Sequence, residues 1–182
     1  MIQNKQELTK VLKMDAEANG IISFKDYFIK LLYGNVGSRA YRYLKALRHY
    51  EYSLNTSSLS RFYYRFKLRH LGNKYNIAII PNTVGGGLYL PHLEGGVILN
   101  CGKMGEWCTA NSGVVVGDKG RGNLAIIGDR VKLSVGSKVI GKIIIGDDVV
   151  VAPNAVVVKD VPDNAVVVGI PAHILKYKEK SK

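Results

Sequence analysis

Residues 127–162 divide into six consecutive blocks of six: IGDRVK, LSVGSK, VIGKII, IGDDVV, VAPNAV and VVKDVP. The leading residues are Ile127, Leu133, Val139, Ile145, Val151 and Val157, all aliphatic. The fifth residues are Val131, Ser137, Ile143, Val149, Ala155 and Val161, all small or β-branched. A helix repeats its apolar positions at three and four and a strand at two, so neither holds a register of six over this length. One short strand and one corner per block does. Three such blocks close a triangular turn of about 18 residues, and stacked turns bury a shared core that no block could bury alone. The leading and fifth residues are therefore expected to point inward, with Gly128-Asp129 and Gly146-Asp147 making tight corners at positive φ. An earlier run has the same period, with Ile98, Met104, Ala110 and Val116 leading and Gly102, Cys108 and Val114 fifth.

This pattern is the hexapeptide period of a left-handed parallel β-helix, so the fold is expected to be mainly β over residues 76–175. The preceding residues 1–75 read as helical. Asn4 to Glu7 has capping-box spacing ahead of Leu8, Val11 and Leu12, and Asn19-Gly20 supplies a stop. Ser23 and Asp26 open a second helix with Phe24, Phe28, Leu31 and Leu32 as its apolar face. A third is expected from about Ser38 to Tyr52. A fourth, capped within residues 55–58, is expected to end at Gly72-Asn73. Residues 176–182 form a basic tail.

Charge follows the same division. The net charge is +12, but residues 39–76 carry nine Lys and Arg against Glu51 alone, whereas residues 77–175 are neutral and hold most of the glycine. Arg39, Arg42, Lys45 and Arg48 recur every three with tyrosines interleaved. They read either as a solvated helix face or as a surface for an anionic partner, a membrane surface among them. No nucleic-acid-binding motif accompanies the charge, so no nucleic-acid partner is expected. No apolar run reaches the roughly 18 residues that a membrane span needs. No secretory signal is expected, because the first ten residues lack an apolar segment after their charges. The two cysteines, Cys101 and Cys108, suit a reducing compartment and a cytoplasmic location. Cys108 falls on an inward position and Cys101 beside a corner, so both are expected to be inert. No metal site is expected, since their spacing makes a poor zinc motif without histidine in register.

Function in a repeat scaffold concentrates where the period is interrupted. Residues 117–125 add five residues and must bulge outward. Lys119 and Arg121 either reach a ligand phosphate there or belong to a solvated loop. The second irregular stretch, 81–97, contains His92. Counting back by six from Ile98 would bury its imidazole in an aliphatic core, where it fits badly. Gly95-Gly96 are therefore expected to reset the register and turn His92 outward. His49 and His70 read as packing or surface residues, and His173 lies beyond the last block.

At GLYLPHLEGGVILN (87–100), the loop after Val116, the blocks from Ile127 and the ending DVPDNAVVVGIPAHI (160–174), the chain resembles the serine acetyltransferase-type branch of the hexapeptide acyltransferases. The helical lead-in resembles small members found with polysaccharide synthesis. The resemblance implies an acetyl-CoA-dependent O-acetyltransferase working as a homotrimer, its sites between neighbouring subunits and no metal required. His92 matches the family's catalytic base, with Glu94 a candidate to orient it. The loop 117–123 with Gly117, Asp118, Lys119 and Arg121, and the corners at Ser134-Val135 and Ala152-Pro153, match the strip for the pantetheine arm of CoA. Lys159 and the tail are candidates for its phosphates. Tyr89, Asn100 and Trp107 are candidates for an acceptor pocket.

The chain also departs from that pattern. Pro91 stands where the family has an aspartate before the histidine, Asn123 where it has a second histidine, and Ile77 to Ile80 where it has an acid. These departures remove partners for the ammonium of serine, so a neutral hydroxyl of a sugar or glycan precursor is expected as acceptor. Serine O-acetylation, sugar N-acetylation and a non-enzymatic membrane-surface scaffold are the alternatives. A γ-class carbonic anhydrase would need three ligand histidines that this stretch lacks.

Overall fold

The computed structural model describes residues 1–118, 120 and 122–179. Four helices come first: α1 (Lys5–Ala18), α2 (Phe24–Leu32), α3 (Val36–Asn55) and α4 (Arg61–Tyr75). Asn4 caps α1 through Oδ1, which accepts from Glu7 N, while Glu7 Oε2 accepts from Gln3 N, the reciprocal exchange of a capping box. Ser23 and Asp26 do the same for α2.

Three expectations for the helices need correcting. First, α3 starts at Val36, because Asn35 Oδ1 accepts from Ser38 N and supplies the cap. Second, α4 runs through Gly72-Asn73 and ends at Asn76, in the left-handed conformation (φ 57°). Gly72 is there for space: a Cβ would sit 2.8 Å from the Ile77 carbonyl, so glycine lets α4 lie close against the first strand. Third, Tyr27 is the buried residue of α2, and Phe24, Phe28 and Leu32 are exposed.

With the isolated bridges counted, the chain passes in rotation among three parallel sheets. The first face holds β1 (Ile77–Ile79), β2 (Val97–Leu99), β5 (Val114–Gly117), β8 (Lys138–Ile140) and β11 (Val156–Val157). The second holds β3 (Lys103–Met104), β6 (Ile126–Ile127) and β9 (Ile144–Ile145). The third holds β4 (Thr109–Ala110), β7 (Lys132–Leu133), β10 (Val150–Val151) and β12 (Ala165–Val168). The terminal β13 (His173–Tyr177) pairs antiparallel with β12 and covers that edge, so the first residues of the basic tail are strand. Isolated bridges at Val84, Tyr89 and Val161 continue the second and third faces.

All twelve leading and fifth residues of blocks 127–162 are buried. Register explains it: Ile126 pairs with Ile144, Lys132 with Val150 and Lys138 with Val156, each 18 positions on. Upstream the frame shifts by one. Val97 pairs with Val114, 17 positions on, so Leu99 stacks on Val116 and Ile98 turns outward at 45% exposure. Cys101 likewise takes the inward place expected for Gly102. Val115 pairs with Lys138, 23 positions on, which leaves five additional residues in the stretch ahead of β6.

The corners between the second and third faces work differently from the expectation. Positive φ falls at Trp107, Arg130, Asp148 and Asn164, each one residue after the acid of its corner rather than on the Gly-Asp pairs. The glycines serve close approach instead. A Cβ on Gly105, Gly128 or Gly146 would collide with the carboxylate of Asp129, Asp147 or Asp163 from the next turn. Those carboxylates accept from Glu106 N, Asp129 N and Asp147 N at 2.8–2.9 Å, a ladder that satisfies the corner donors.

A charged cluster joins the helices to the first turn. Arg48, expected on a solvated face, is 1% exposed. Its Nε donates to Asp15 at 2.8 Å and its Nη1 to Glu51 at 3.1 Å, while Nη1 and Nη2 also donate to the carbonyls of Val84 and Gly85. Asp15 Oδ1 accepts from Gly87 N and Leu88 N, and Glu51 Oε1 accepts from Asn82 N. The sequence 82–88 has only isolated bridges on one side, and this cluster supplies the partners on the other.

Candidate active site

His92 lies on the edge between the third and first faces. In later turns that edge is crossed by three residues, 111–113 or 134–136; in the first turn six residues, 91–96, separate Leu90 from Val97. The longer corner lets Leu93 plug the core at 3% exposure while His92 stays exposed, as the register argument required. Gly95 and Gly96 make the return. A Cβ on Gly95 would meet Ser112 Oγ at 2.5 Å, and Gly96 has φ 75°. Ser112 Oγ accepts from Gly95 N at 2.6 Å, and Gly96 O accepts from Gly113 N at 2.7 Å, tying this corner to the next.

The residues leading to His92 are held from the helices. Asn19, the C-cap of α1, donates from Nδ2 to Leu88 O at 2.8 Å and accepts at Oδ1 from Leu90 N at 3.3 Å. Sequence reasoning used Asn19 only as a helix stop and missed this bridge, which spans about 70 positions of chain and leaves no local signal.

Ser134-Val135 and Ala152-Pro153 occupy the same edge as His92, one turn after another: Gly136 N donates to Ser112 O and Asn154 N to Val135 O. Ser134 is nearly buried, Val135 is 48% exposed and Pro153 is exposed, so the edge presents a row of short side chains.

The other candidates lie elsewhere on the prism. Gly117 ends β5, and Asp118, Asn100 and Lys159 belong to the edge that follows, between the first and second faces, where Asp118 Oδ2 accepts from Gly122 N. Lys119 and Arg121 lie outside the described residues. Tyr89 projects from the third face at 41% exposure. Trp107 sits on the edge between the second and third faces, its ring against Gly87. A single chain therefore does not gather Tyr89, Asn100 and Trp107 into one pocket. Glu94 is exposed and its carboxylate faces Arg39 at 3.7 Å; among the described residues no hydrogen bond joins it to His92.

Burial pushes the Cys108 thiol up to about 12 and raises Cys101 as well, so both stay protonated and unreactive. Among the described residues no group of His, Cys, Asp or Glu could hold a metal ion.

No protein-family model matches the chain. The serine acetyltransferase of Helicobacter pylori is 31% identical over 179 residues, covering 94% of this chain and 96% of its own. That of Mycobacterium tuberculosis is 38% identical over 102 residues, 54% of this chain and 44% of its own length, so the chain spans under half of that relative. A solved serine acetyltransferase in complex with CoA superposes with a TM-score of 0.73 at 18% identity, over 94% of this chain and 71% of that one, a likeness of fold. These relatives give no support to a glycan acceptor, expected from the departures at Pro91, Asn123 and Ile77 to Ile80, or to polysaccharide synthesis, expected from the helical lead-in. The full-length match at 31% identity, with the period of six and the outward histidine at its head, carries one conclusion: the chain belongs to the serine acetyltransferase-like branch of the hexapeptide-repeat acyltransferases.

Proposed function

We propose that the protein is an acetyl-CoA-dependent O-acetyltransferase built on a left-handed β-helix, with His92 as general base. The observation that carries this reading is the exposed imidazole at the head of an edge whose later corners present Ser134-Val135 and Ala152-Pro153 in line. An imidazole accepts a proton near neutral pH. His92 takes the proton of the acceptor hydroxyl as its oxygen attacks the thioester carbonyl. Backbone N–H groups at a corner or in the 117–123 loop stabilise the tetrahedral oxyanion. Collapse breaks the C–S bond, and the imidazolium returns its proton to the CoA thiolate. The oxygen keeps the acetyl group, and no covalent enzyme intermediate forms.

His92 and the 117–123 loop lie on different edges of one prism. A homotrimer resolves this by setting the loop edge of one subunit against the His92 edge of its neighbour. Exposed Ile98 on the first face and Ile126 and Ile144 on the second support such packing, since all three are outward-facing apolar strand residues. The Lys159 side chain would then meet the CoA phosphates.

Serine is the acceptor that the relatives' names favour. A second reading, a neutral hydroxyl, rests on Pro91 preceding His92 and on Glu94 facing Arg39, which leaves no carboxylate committed to an ammonium beside the imidazole. Thiol release from acetyl-CoA with L-serine and with neutral polyols, run in parallel, separates the two. Efficient O-acetylserine formation establishes the first; turnover only with the polyols establishes the second. No thiol release with any hydroxyl acceptor would overturn acetyl transfer itself.

A further inference from the structure

The surface opposite in character to the catalytic edge is a groove of about 280 Å³ between α2, α3 and α4. Its cations are Arg42 and Lys45 on α3 and Lys67 on α4, and it contains no Asp or Glu. The one acid on α2, Asp26, is held by Lys30 at 2.9 Å. The aromatic wall is Phe24 and Phe28, packed edge to face at 4.7 Å yet 73% and 52% exposed. Phe28 and Leu31 also line an adjoining open hollow of about 520 Å³ that is completed by Ile29 and Leu32, the latter 85% exposed. A cradle of unopposed positive charge thus continues directly into an apolar slope on one amphipathic helix.

We infer that this groove docks the chain on an anionic phospholipid bilayer, with headgroup phosphates on Arg42, Lys45 and Lys67 and the Phe24, Phe28 and Leu32 side chains in the acyl boundary. Each half of the surface excludes a different competitor. A free phosphate would occupy the cationic cradle and leave the apolar slope in water. A second copy of the chain would set like charges against each other, which costs several kcal/mol. An anionic lipid surface satisfies both halves: about 1 kcal/mol for each cation near the headgroups, added to burial of the apolar residues. Among the described residues no helix is long and apolar enough to cross a membrane, so the contact is one of a helix lying on the surface.

The test is co-sedimentation with vesicles of phosphatidylcholine alone and of equal parts phosphatidylcholine and phosphatidylglycerol, at low and high salt. The full chain should sediment with the mixed vesicles at low salt, leave them at high salt and ignore the neutral ones. Lys45→Gln/Lys67→Gln should lower partitioning about 30-fold, the effect of two charges. Phe28→Ser/Leu32→Ser should lower it at least as far, and inorganic phosphate should not compete at concentrations that leave the ionic strength unchanged. The groove and the hollow are lined without His92, so acetyl transfer in solution should be unaltered and reports that the variants fold. Equal binding to neutral vesicles, binding indifferent to both variants, or displacement by inorganic phosphate overturns the proposal. So does a self-association that the Phe28→Ser/Leu32→Ser variant abolishes.

Discussion

Arg48 Nε donates to Asp15 Oδ2 at 2.8 Å across 33 positions of sequence, and both side chains are almost wholly buried. Burial alone disfavours a guanidinium, but Asp15 and Glu51 more than offset that cost and raise its pKa above the ordinary value. The pair also holds backbone: Arg48 accepts no substitute for its bonds to Val84 O and Gly85 O, and Asp15 serves Gly87 N and Leu88 N. Arg48→Ala strands two buried carboxylates and two carbonyls. It should destabilise the fold by roughly 3–5 kcal/mol, measured as a fall in the urea midpoint. A loss under 1 kcal/mol would mean the cluster is not closed in solution.

Stability should weaken in mild acid through His49. Its ring stacks on Tyr64 at 4.9 Å, and burial first, then Lys45 and Lys67, lower its pKa. The native state therefore resists protonation, whereas the unfolded chain takes up the proton as pH falls through about 6.5. The stability contributed by neutral His49 is intact above that pH and is lost progressively below it. His49→Gln should flatten the pH dependence of the unfolding free energy between pH 7 and 5, and an unchanged slope would remove His49 as its source.

Neither thiol should react with Ellman's reagent in the folded protein. Cys101 and Cys108 are both buried, and burial holds the Cys108 thiol protonated up to about 12. Both should react on denaturation. Fast modification of the native chain would contradict the packing of the first complete turn.

Ser137 occupies an inward place in an otherwise aliphatic stack, is fully buried, and its Oγ has no hydrogen-bond partner among the described residues. Removing an unsatisfied buried hydroxyl relieves its desolvation cost. Ser137→Ala should therefore raise stability by about 1 kcal/mol, seen as a higher thermal midpoint; a drop would show that the hydroxyl is bonded.

The repeat was legible because one physical demand, an inward side chain every few residues, leaves a mark at fixed spacing. Ile127 to Val161 follow it in every block. Ile98 did not, since a turn shortened by one residue carries no composition signal: Val97, Ile98 and Leu99 are all aliphatic, and only pairing to Val114 and Val116 decides which faces in. His92 could be turned outward by elimination, because an imidazole fits poorly among aliphatics and Gly95-Gly96 could reset the register; that Leu93 fills the place was not legible. The Gly-Asp corners were visible, but their purpose was not, since a carboxylate from the next turn is a contact across 18 positions. Arg48 was misread, and the second role of Asn19 beyond its helix stop was missed, for a related reason: what a polar helix residue bonds is hidden until the buried acid or backbone that faces it is known. Phe24 and Phe28 show the reverse limit, a well-formed apolar face that the chain itself does not cover.

The claim on which the functional account stands is that the outward imidazole of His92 takes the acceptor proton. The most direct measurement is the turnover of acetyl-CoA, read as thiol release with the best acceptor, for the wild type and for His92→Ala at matched folded content. General-base loss should lower kcat by about 10²–10⁴-fold while the thermal midpoint stays unchanged, because the exposed ring supports no core contact. Turnover within a few fold of the wild type would contradict it.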